Sequence, residues 1–322
     1  REHWTGRPEP CRSRSSIMLM RVVCLAALMA STDASSVSRP TALGQSRVMS
    51  YRGGGAMPLT AMVKTPKEAY DAFAEKGAAN AKLETPKILF QSIMAGGYIG
   101  FGALLALIIS SGLKGIKESN PSLPQFVFAA LFPVNLLLIL TTGGQLFTGN
   151  SAAVTSALCE GMVTKGELVK SWALSYLGNI IGCGAFAYLT AAAGFLTGST
   201  KDGAVYLAMK KCGSSFGQTV LKAIMCNWLV CIAVFLCGAA TDLPGKLIGI
   251  WFPISAFVAI GCEHSVANLY LLPLGLLADA DLSFQDVVMK NIVPVTIGNA
   301  IAGAIIVGMG YSYAFGALGK KK

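Results

Sequence analysis

The chain has 322 residues, of which 53% are hydrophobic and 13% are charged, and its mean hydropathy is +0.58. These values exclude an ordinary water-soluble domain and indicate a membrane protein that crosses the bilayer several times. The net charge of +10 does not indicate a nucleic-acid-binding protein, because residues 1–64 alone hold nine Lys or Arg against three Asp or Glu.

The basic residues 1–64 have the composition of a targeting leader. All eight arginines lie at or before Arg52, and no acid occurs between Asp33 and Glu68. Met18–Ala34 has the basic start, apolar centre and small-residue end of a secretory signal peptide, and 35–64 is acid-free like a transit peptide. We expect the leader to be removed and to direct the protein to a plastid (chloroplast) membrane. The mitochondrial inner membrane and the plasma membrane are the alternatives.

A short amphipathic segment, residues 65–86, follows the leader. Pro66 precedes Tyr70, Phe73 and Ala74 at helical spacing, so we expect a helix at the membrane interface. Residues 87–322 form the membrane domain, in which apolar runs long enough to cross a ~30 Å hydrocarbon core recur. The six predicted spans are 87–112, 123–143, 168–198, 216–240, 246–275 and 288–316.

The membrane domain contains an internal repeat with an offset of 120 residues. Phe132-Pro133-Val134 recurs as Phe252-Pro253-Ile254, and Gly178-Asn179-Ile180 recurs as Gly298-Asn299-Ala300. The repeat divides the domain into two halves of three spans each. An odd number of spans per half places the halves in opposite orientations.

The middle span of each half begins apolar and then breaks, first at residues 143–150 and again at 261–268. The half-helix that follows a break presents backbone N–H groups and a positive dipole end, which can meet an anion without a buried arginine. The predicted fold is therefore an all-α membrane protein, with six transmembrane helices in two inverted three-helix repeats and broken second and fifth helices.

The second break contains His264, the only histidine after residue 64, beside Glu263. Imidazole titrates near neutral pH, and ionisable groups at bilayer depth usually face a substrate path, so His264 is a candidate for proton handling. The plainer alternatives are a hydrogen-bonded core histidine and a carboxylate that accepts from backbone N–H groups. Lys201, Lys210 and Lys211 lie in a predicted loop, from which they would concentrate anions at a pore mouth.

The residue content argues against a membrane enzyme, because one histidine and one deep acid do not supply a nucleophile, a base and an orienting group. The chain has no Cys-x-x-Cys pair, so we expect neither a metal site nor a cofactor. An aquaporin-like channel for small neutral solutes would share six spans and two half-helices. Both breaks lack Asn-Pro-Ala, however, and lysine-rich approaches suit anions better.

Several short motifs lie in or near these breaks and in the later spans. They are Leu146-Phe147-Thr148, Glu263 to Asn268, Pro273-Leu274-Gly275, Asn227 to Cys231 and Asn291 to Asn299. Together they resemble the formate/nitrite transporters, and the resemblance covers about residues 65–322. It implies a homopentamer of aquaporin-like protomers, each with its own pore.

The resemblance also implies roles for individual residues. His264 matches the central pore histidine, Thr148 matches the loop threonine that binds it, and Glu263 belongs to the same central group. Lys211 and Asn227 match residues that set the electrostatics around the histidine and attract anions. The residues that match the pore constriction are Phe132, Leu136, Leu146, Phe147, Val230 and Phe257. Two positions depart from the family pattern: Gln145 stands where an acid is usual, and Cys262 stands where an aromatic residue is frequent.

The sequence therefore predicts a transporter of small monovalent anions in the lipid bilayer, with nitrite and formate, together with protons, as its substrates. Nitrite comes first only because plastids reduce it, and bicarbonate is a further alternative. An anion pays a large desolvation cost in an apolar constriction and its neutral acid pays far less, so transport is expected to depend on pH through His264.

Overall fold

The computed structural model describes residues 63–320. Apart from Val63 and Lys64, the predicted leader lies outside the described residues. The helices are α1 (Pro66–Lys82), α2 (Thr85–Ser111), α3 (Lys114–Ser119), α4 (Ser122–Thr142), α5 (Phe147–Cys159), α6 (Lys165–Ala192), α7 (Gly198–Cys212), α8 (Phe216–Ala239), α9 (Leu243–Ile260), α10 (Ser265–Leu277) and α11 (Phe284–Phe315).

Within the described residues, six helices are long and apolar enough to cross a membrane, namely α2, α4, α6, α8, α9 and α11. The prediction of an all-α membrane protein with six spans is thus confirmed. The third span was predicted to reach residue 198, but α6 ends at Ala192. Gly194 follows with a φ of +80°, a left-handed conformation that ends a helix.

Both predicted breaks have the same local geometry. Gly143, with φ +83°, caps the carboxyl end of α4, and Gly261, with φ +85°, caps that of α9. Only glycine adopts this left-handed region at little cost, so each long helix stops here and the chain turns. Half-helices α5 and α10 then begin at Phe147 and Ser265.

Two asparagines hold the two half-helices in equivalent ways. Asn179 accepts a hydrogen bond from the Phe147 N–H at 3.0 Å and donates to the Gln145 carbonyl at 2.9 Å. Asn299 accepts from the Ser265 N–H at 2.8 Å and donates to the Glu263 carbonyl at 3.1 Å. These asparagines are 120 residues apart, so the sequence repeat has a counterpart in hydrogen bonding.

Helix α1 lies against half-helix α5 rather than standing apart from the protein. Tyr70 and Phe73 are fully buried, and the side of the helix that holds them faces the core. Gly77 contacts the Ala153 backbone so closely that any side chain there would clash with the carbonyl group. The predicted interfacial segment is therefore helical, with its apolar face covered by protein.

The start of α1 is tied to the end of α11 through Glu160, which follows α5. Its carboxylate accepts from the Tyr70 hydroxyl at 2.7 Å, from the Ser312 hydroxyl at 2.7 Å and from the Ala317 N–H at 3.0 Å. These bonds lower the pKa of Glu160, although burial alone would raise it.

The segment that carries Lys210 and Lys211 was predicted to be a loop, and that prediction is wrong. It forms helix α7, because Ala204, Ala208 and Cys212 recur every four residues and bury one face. Charged and small residues lower the mean hydropathy of this segment, which is why hydropathy alone did not reveal a helix here.

Candidate functional site

Two cavities enter the protein near the breaks. The larger, which we call the Lys211 cavity, has a volume of about 380 Å³ and is lined by Lys211, Glu263, His264, Phe132 and Phe257 among others. The smaller, the Lys76 cavity, has a volume of about 20 Å³. Its lining includes Lys76, Asn80, Gln145, Leu136 and Leu146.

His264 is the residue that caps half-helix α10. Its Nδ1 accepts a hydrogen bond from the Ala267 N–H at 3.1 Å, and its Nε2 lies 3.1 Å from the Thr148 hydroxyl. A backbone N–H can only donate, so Nδ1 carries no proton in this arrangement and Nε2 is the protonated nitrogen. His264 therefore donates to Thr148, and a second proton on Nδ1 would remove the cap of α10.

Thr148 lies in the first turn of the opposing half-helix α5, so the two breaks meet at the His264–Thr148 contact. Its carbonyl accepts from Asn227 at 3.3 Å and from Ser151 at 2.7 Å. Asn227 also donates to the Asn299 carbonyl at 2.7 Å. Asn227 thus holds the backbone around the histidine and makes no direct hydrogen bond to the imidazole.

Glu263 points away from the histidine into a polar cluster. Its carboxylate binds the Lys211 ammonium at 3.1 Å and accepts from Asn268 at 2.7 Å and from Asn291 at 3.2 Å. The side chains of Lys211 and Glu263 are 15% and 8% exposed, and a pair buried this far needs such extra donors to offset desolvation. The Lys211 charge is consequently balanced at this mouth.

The sequence did not single out Asn268 and Asn291 as members of this cluster. Asn291 lies in a π-helical turn, Val287–Ile292, within α11. A wide turn of this kind changes which side chains face inward and is frequent at functional sites. Both residues carry side-chain amides in otherwise apolar helical segments, and this feature of the sequence could have identified them.

The aromatic and aliphatic residues predicted to narrow the pore divide between the two cavities. The Phe132 and Phe257 rings meet edge to face at 6.3 Å and line the Lys211 cavity. Leu136 and Leu146 line the Lys76 cavity. Val230 is buried in the same apolar cluster as these four side chains.

Phe147 occupies a different environment. Its ring packs against Tyr176 at 4.9 Å and Trp172 at 5.8 Å, both on α6, and it lines neither cavity. The structure thus does not bring Phe147 together with the other predicted constriction residues.

Other lysines surround the Lys211 cavity. The ammonium groups of Lys117 and Lys210 lie 4.8 and 5.8 Å from the centre of the Tyr206 ring. Lys201, which was expected to attract anions, instead pairs with Asp279 at 2.7 Å at an exposed position. Among residues 63–320, no group of three or more His, Cys, Asp or Glu side chains is arranged to hold a metal ion.

Comparison with known proteins decides the family. The pattern of the formate/nitrite transporter family matches residues 67–313. The chain belongs to the formate/nitrite transporter family. It is 37% identical over 269 residues to a probable formate transporter of Methanothermobacter thermautotrophicus, covering 78% of this chain and 97% of that protein. It is 36% identical over 247 residues to a formate channel of Bacillus thuringiensis, covering 76% and 93%.

Solved structures of this family agree with the fold. An ion channel of the family superposes with a TM-score of 0.70 at 28% identity, covering 77% of this chain and 98% of the other. A pentameric formate channel with formate bound gives a TM-score of 0.62 at 26% identity, covering 78% and 99%. These relatives are transporters and channels, so the chain is an anion transporter and not an enzyme.

Proposed function

We propose that the chain forms a homopentamer in which each protomer conducts small monovalent anions, namely formate and nitrite, past His264. The observation that carries this proposal is the buried His264–Thr148 contact between the two breaks, with apolar side chains on both sides. The relatives supply the substrate class, because two of them are described as formate channels and one of those is pentameric.

The geometry favours transport of the neutral acid. The Nε2–H of His264 and the Thr148 hydroxyl can hydrogen-bond an anion, but the apolar residues on either side penalise its charge. Because Nδ1 is engaged by the Ala267 N–H, His264 is a poor store for an extra proton. The proton therefore arrives with the substrate from water in the cavity, and flux rises as the pH falls.

We propose a plastid membrane as the location, and this rests on the signal-like and transit-like composition of residues 1–64. Nitrite as a substrate follows from the same argument, because nitrite is reduced in plastids. Fluorescence microscopy of the full chain with a carboxyl-terminal fluorescent protein tests it, and signal confined to mitochondria or the plasma membrane would contradict the plastid assignment.

The test of the mechanism is flux of formate and nitrite into proteoliposomes at about pH 5.5 and about pH 7.5, for the wild type and a His264→Asn variant. Asparagine can still cap α10 but is too short to replace the Nε2–H donor. We expect flux to fall about tenfold at both pH values while its ratio between them is retained. Urea uptake, which carries no proton, serves as the control for leakage.

Two results would count against this proposal. If His264→Asn abolishes the pH dependence, the imidazole itself takes up and releases the proton. If the wild type conducts urea but neither anion, the protein is a channel for neutral solutes and the substrate assignment is wrong.

A further inference from the structure

One buried asparagine of helix α4 lacks a partner for its amide. Asn135 is 1% exposed, and its Nδ2 is a buried donor without an acceptor. Within residues 63–320, the side-chain oxygen of Asn135 takes part in no hydrogen bond either. Asn179 and Asn299, by contrast, use both ends of their amides. A buried amide without a partner lowers stability, so its presence needs an explanation.

Pro133 aligns Asn135 with Phe132. Proline has no N–H, and α4 tightens around it. The Asn135 N–H donates to the Phe132 carbonyl at 3.2 Å, three residues back rather than four. Side chains three residues apart eclipse one another in such a turn. Asn135 therefore lies on the same face of α4 as Phe132.

This face of α4 extends from one cavity to the other. Phe132 lines the Lys211 cavity, whereas Leu136 and Ile139 line the Lys76 cavity. All three side chains belong to one buried apolar cluster, and Asn135 lines neither cavity. Asn135 thus places a polar amide in the apolar barrier that lies between the two cavities.

Helix α2 supplies no partner for this amide. Gly102 packs against the turn so closely that an added Cβ would lie 2.8 Å from the Asn135 Cβ and 2.9 Å from the Phe132 carbonyl oxygen. Its neighbours Ile99 and Ala103 are buried and apolar, so they offer the amide no hydrogen bond. The partner of the Asn135 amide must therefore come from the path between the cavities.

We propose that Asn135 hydrogen-bonds the permeating acid in the barrier between the cavities and favours molecules that carry a donor beside an acceptor. This inference rests on the proposed function, in which formate and nitrite cross as neutral acids. Formic acid and nitrous acid each hold a hydroxyl donor and an acceptor oxygen on one central atom. Nδ2 donates to that oxygen while Oδ1 accepts from the hydroxyl, and neither partner loses a proton. The anion lacks the donor and can form only one of these bonds.

The unpaired state of the amide favours this role. An apolar barrier penalises the hydroxyl of a neutral acid as well as the charge of an anion, because buried polar groups need hydrogen bonds. The Asn135 amide supplies such bonds without first giving up others, since it has none in the empty protein. The stability that the fold loses at Asn135 is thus recovered while an acid passes.

The first test is flux of formate and nitrite into proteoliposomes at acid pH for three variants of Asn135. Asn135→Leu keeps the branched shape without hydrogen bonds, and Asn135→Ala leaves more room, so both should lower flux about tenfold. Asn135→Ser keeps a donor and an acceptor and should conduct faster than Asn135→Ala. A loss confined to Asn135→Leu would be a steric block and would overturn the proposal.

A stability measurement separates this role from a structural one. Asn135→Leu replaces an unsatisfied amide by an apolar group, so the variant should resist unfolding by sodium dodecyl sulfate in mixed micelles at least as well as the wild type. The matched control is Asn179→Leu, which removes the bonds to Phe147 and Gln145 at 3.0 and 2.9 Å and should unfold at less detergent. Destabilisation of Asn135→Leu to the same extent would make the amide a structural group and the proposal wrong.

The wild type distinguishes failure of this proposal from failure of the proposed function. If the wild type conducts neither anion, the proposed function fails and the role of Asn135 fails with it. If the wild type conducts both anions and the leucine and alanine variants conduct equally fast, only the role of Asn135 is overturned.

Discussion

The equivalent asparagines Asn179 and Asn299 allow a quantitative prediction about the two breaks. Asn299→Ala removes the partners of the Ser265 N–H and the Glu263 carbonyl, which lie in a buried region. An unsatisfied buried polar group costs about 1–3 kcal/mol, so two of them should lower the free energy of unfolding by roughly 2–6 kcal/mol. Asn179→Ala should produce a loss of similar size, because its bonds to Phe147 and Gln145 match in kind and length.

The assay is unfolding of each purified variant in mixed micelles with increasing sodium dodecyl sulfate, followed by far-ultraviolet circular dichroism. Ile297→Ala, at a 44% exposed position on the same helix as Asn299, is the control and should change stability by less than about 1 kcal/mol. Flux should separate the two variants, because only Asn299 supports the half-helix capped by His264. If just one asparagine variant is destabilised, the two breaks are not held in equivalent ways and the reasoning is refuted.

Three further predictions follow from local geometry. Gly261→Ala should cost about 1–2 kcal/mol in the same unfolding assay, since the residue has φ +85°, and a cost near zero would show that the break can relax. Gly77→Val should separate α1 from α5 because of the clash with Ala153, which limited proteolysis would detect as faster cleavage within α1; unchanged protection would contradict the packing. The pKa of Glu160 is lower in the folded protein than its value near 4.5 in the unfolded chain. The ionised carboxylate therefore stabilises the fold above pH 4.5, and this stabilisation is lost as the pH falls through the folded pKa. Glu160→Gln should accordingly weaken the dependence of the free energy of unfolding on pH in the acid range.

The sequence predicted the membrane spans well because hydropathy measures whether a helix surface favours lipid or water. The prediction of secondary structure failed for a helix that buries only one of its faces. In α7, the buried face consists of small residues such as Ala204 and Ala208, and lysines and glycines are interspersed among the larger apolar residues, so the mean hydropathy resembled that of a loop. The end of α6 was missed for a related reason, since apolar residues continue past the glycine that stops the helix.

The candidate site was predictable only in part. The pairing of His264 with Thr148 followed from the family resemblance, and the structure places the two side chains in contact. The partners of Glu263 could not be read from the chain, because Lys211 lies 52 residues away and joins it only after α7 and α10 pack together. Long-range polar clusters of this kind depend on helix packing, which single-sequence periodicity does not report.

The repeat explains how one scaffold supports two unlike halves of a pore. Equivalent glycines stop the helices and equivalent asparagines hold the half-helices, yet the capping residues are Leu146 at one break and His264 at the other. Each cap lies where its half-helix begins, so the scaffold presents an apolar side chain beside one cavity and an N–H donor beside the other. The residue before each cap also differs in charge, since Gln145 precedes one cap and Glu263 precedes the other. Fold and selectivity are thus encoded at different positions, and substitutions at the two caps or their neighbours can alter conduction without disturbing the hydrogen bonds that hold the breaks.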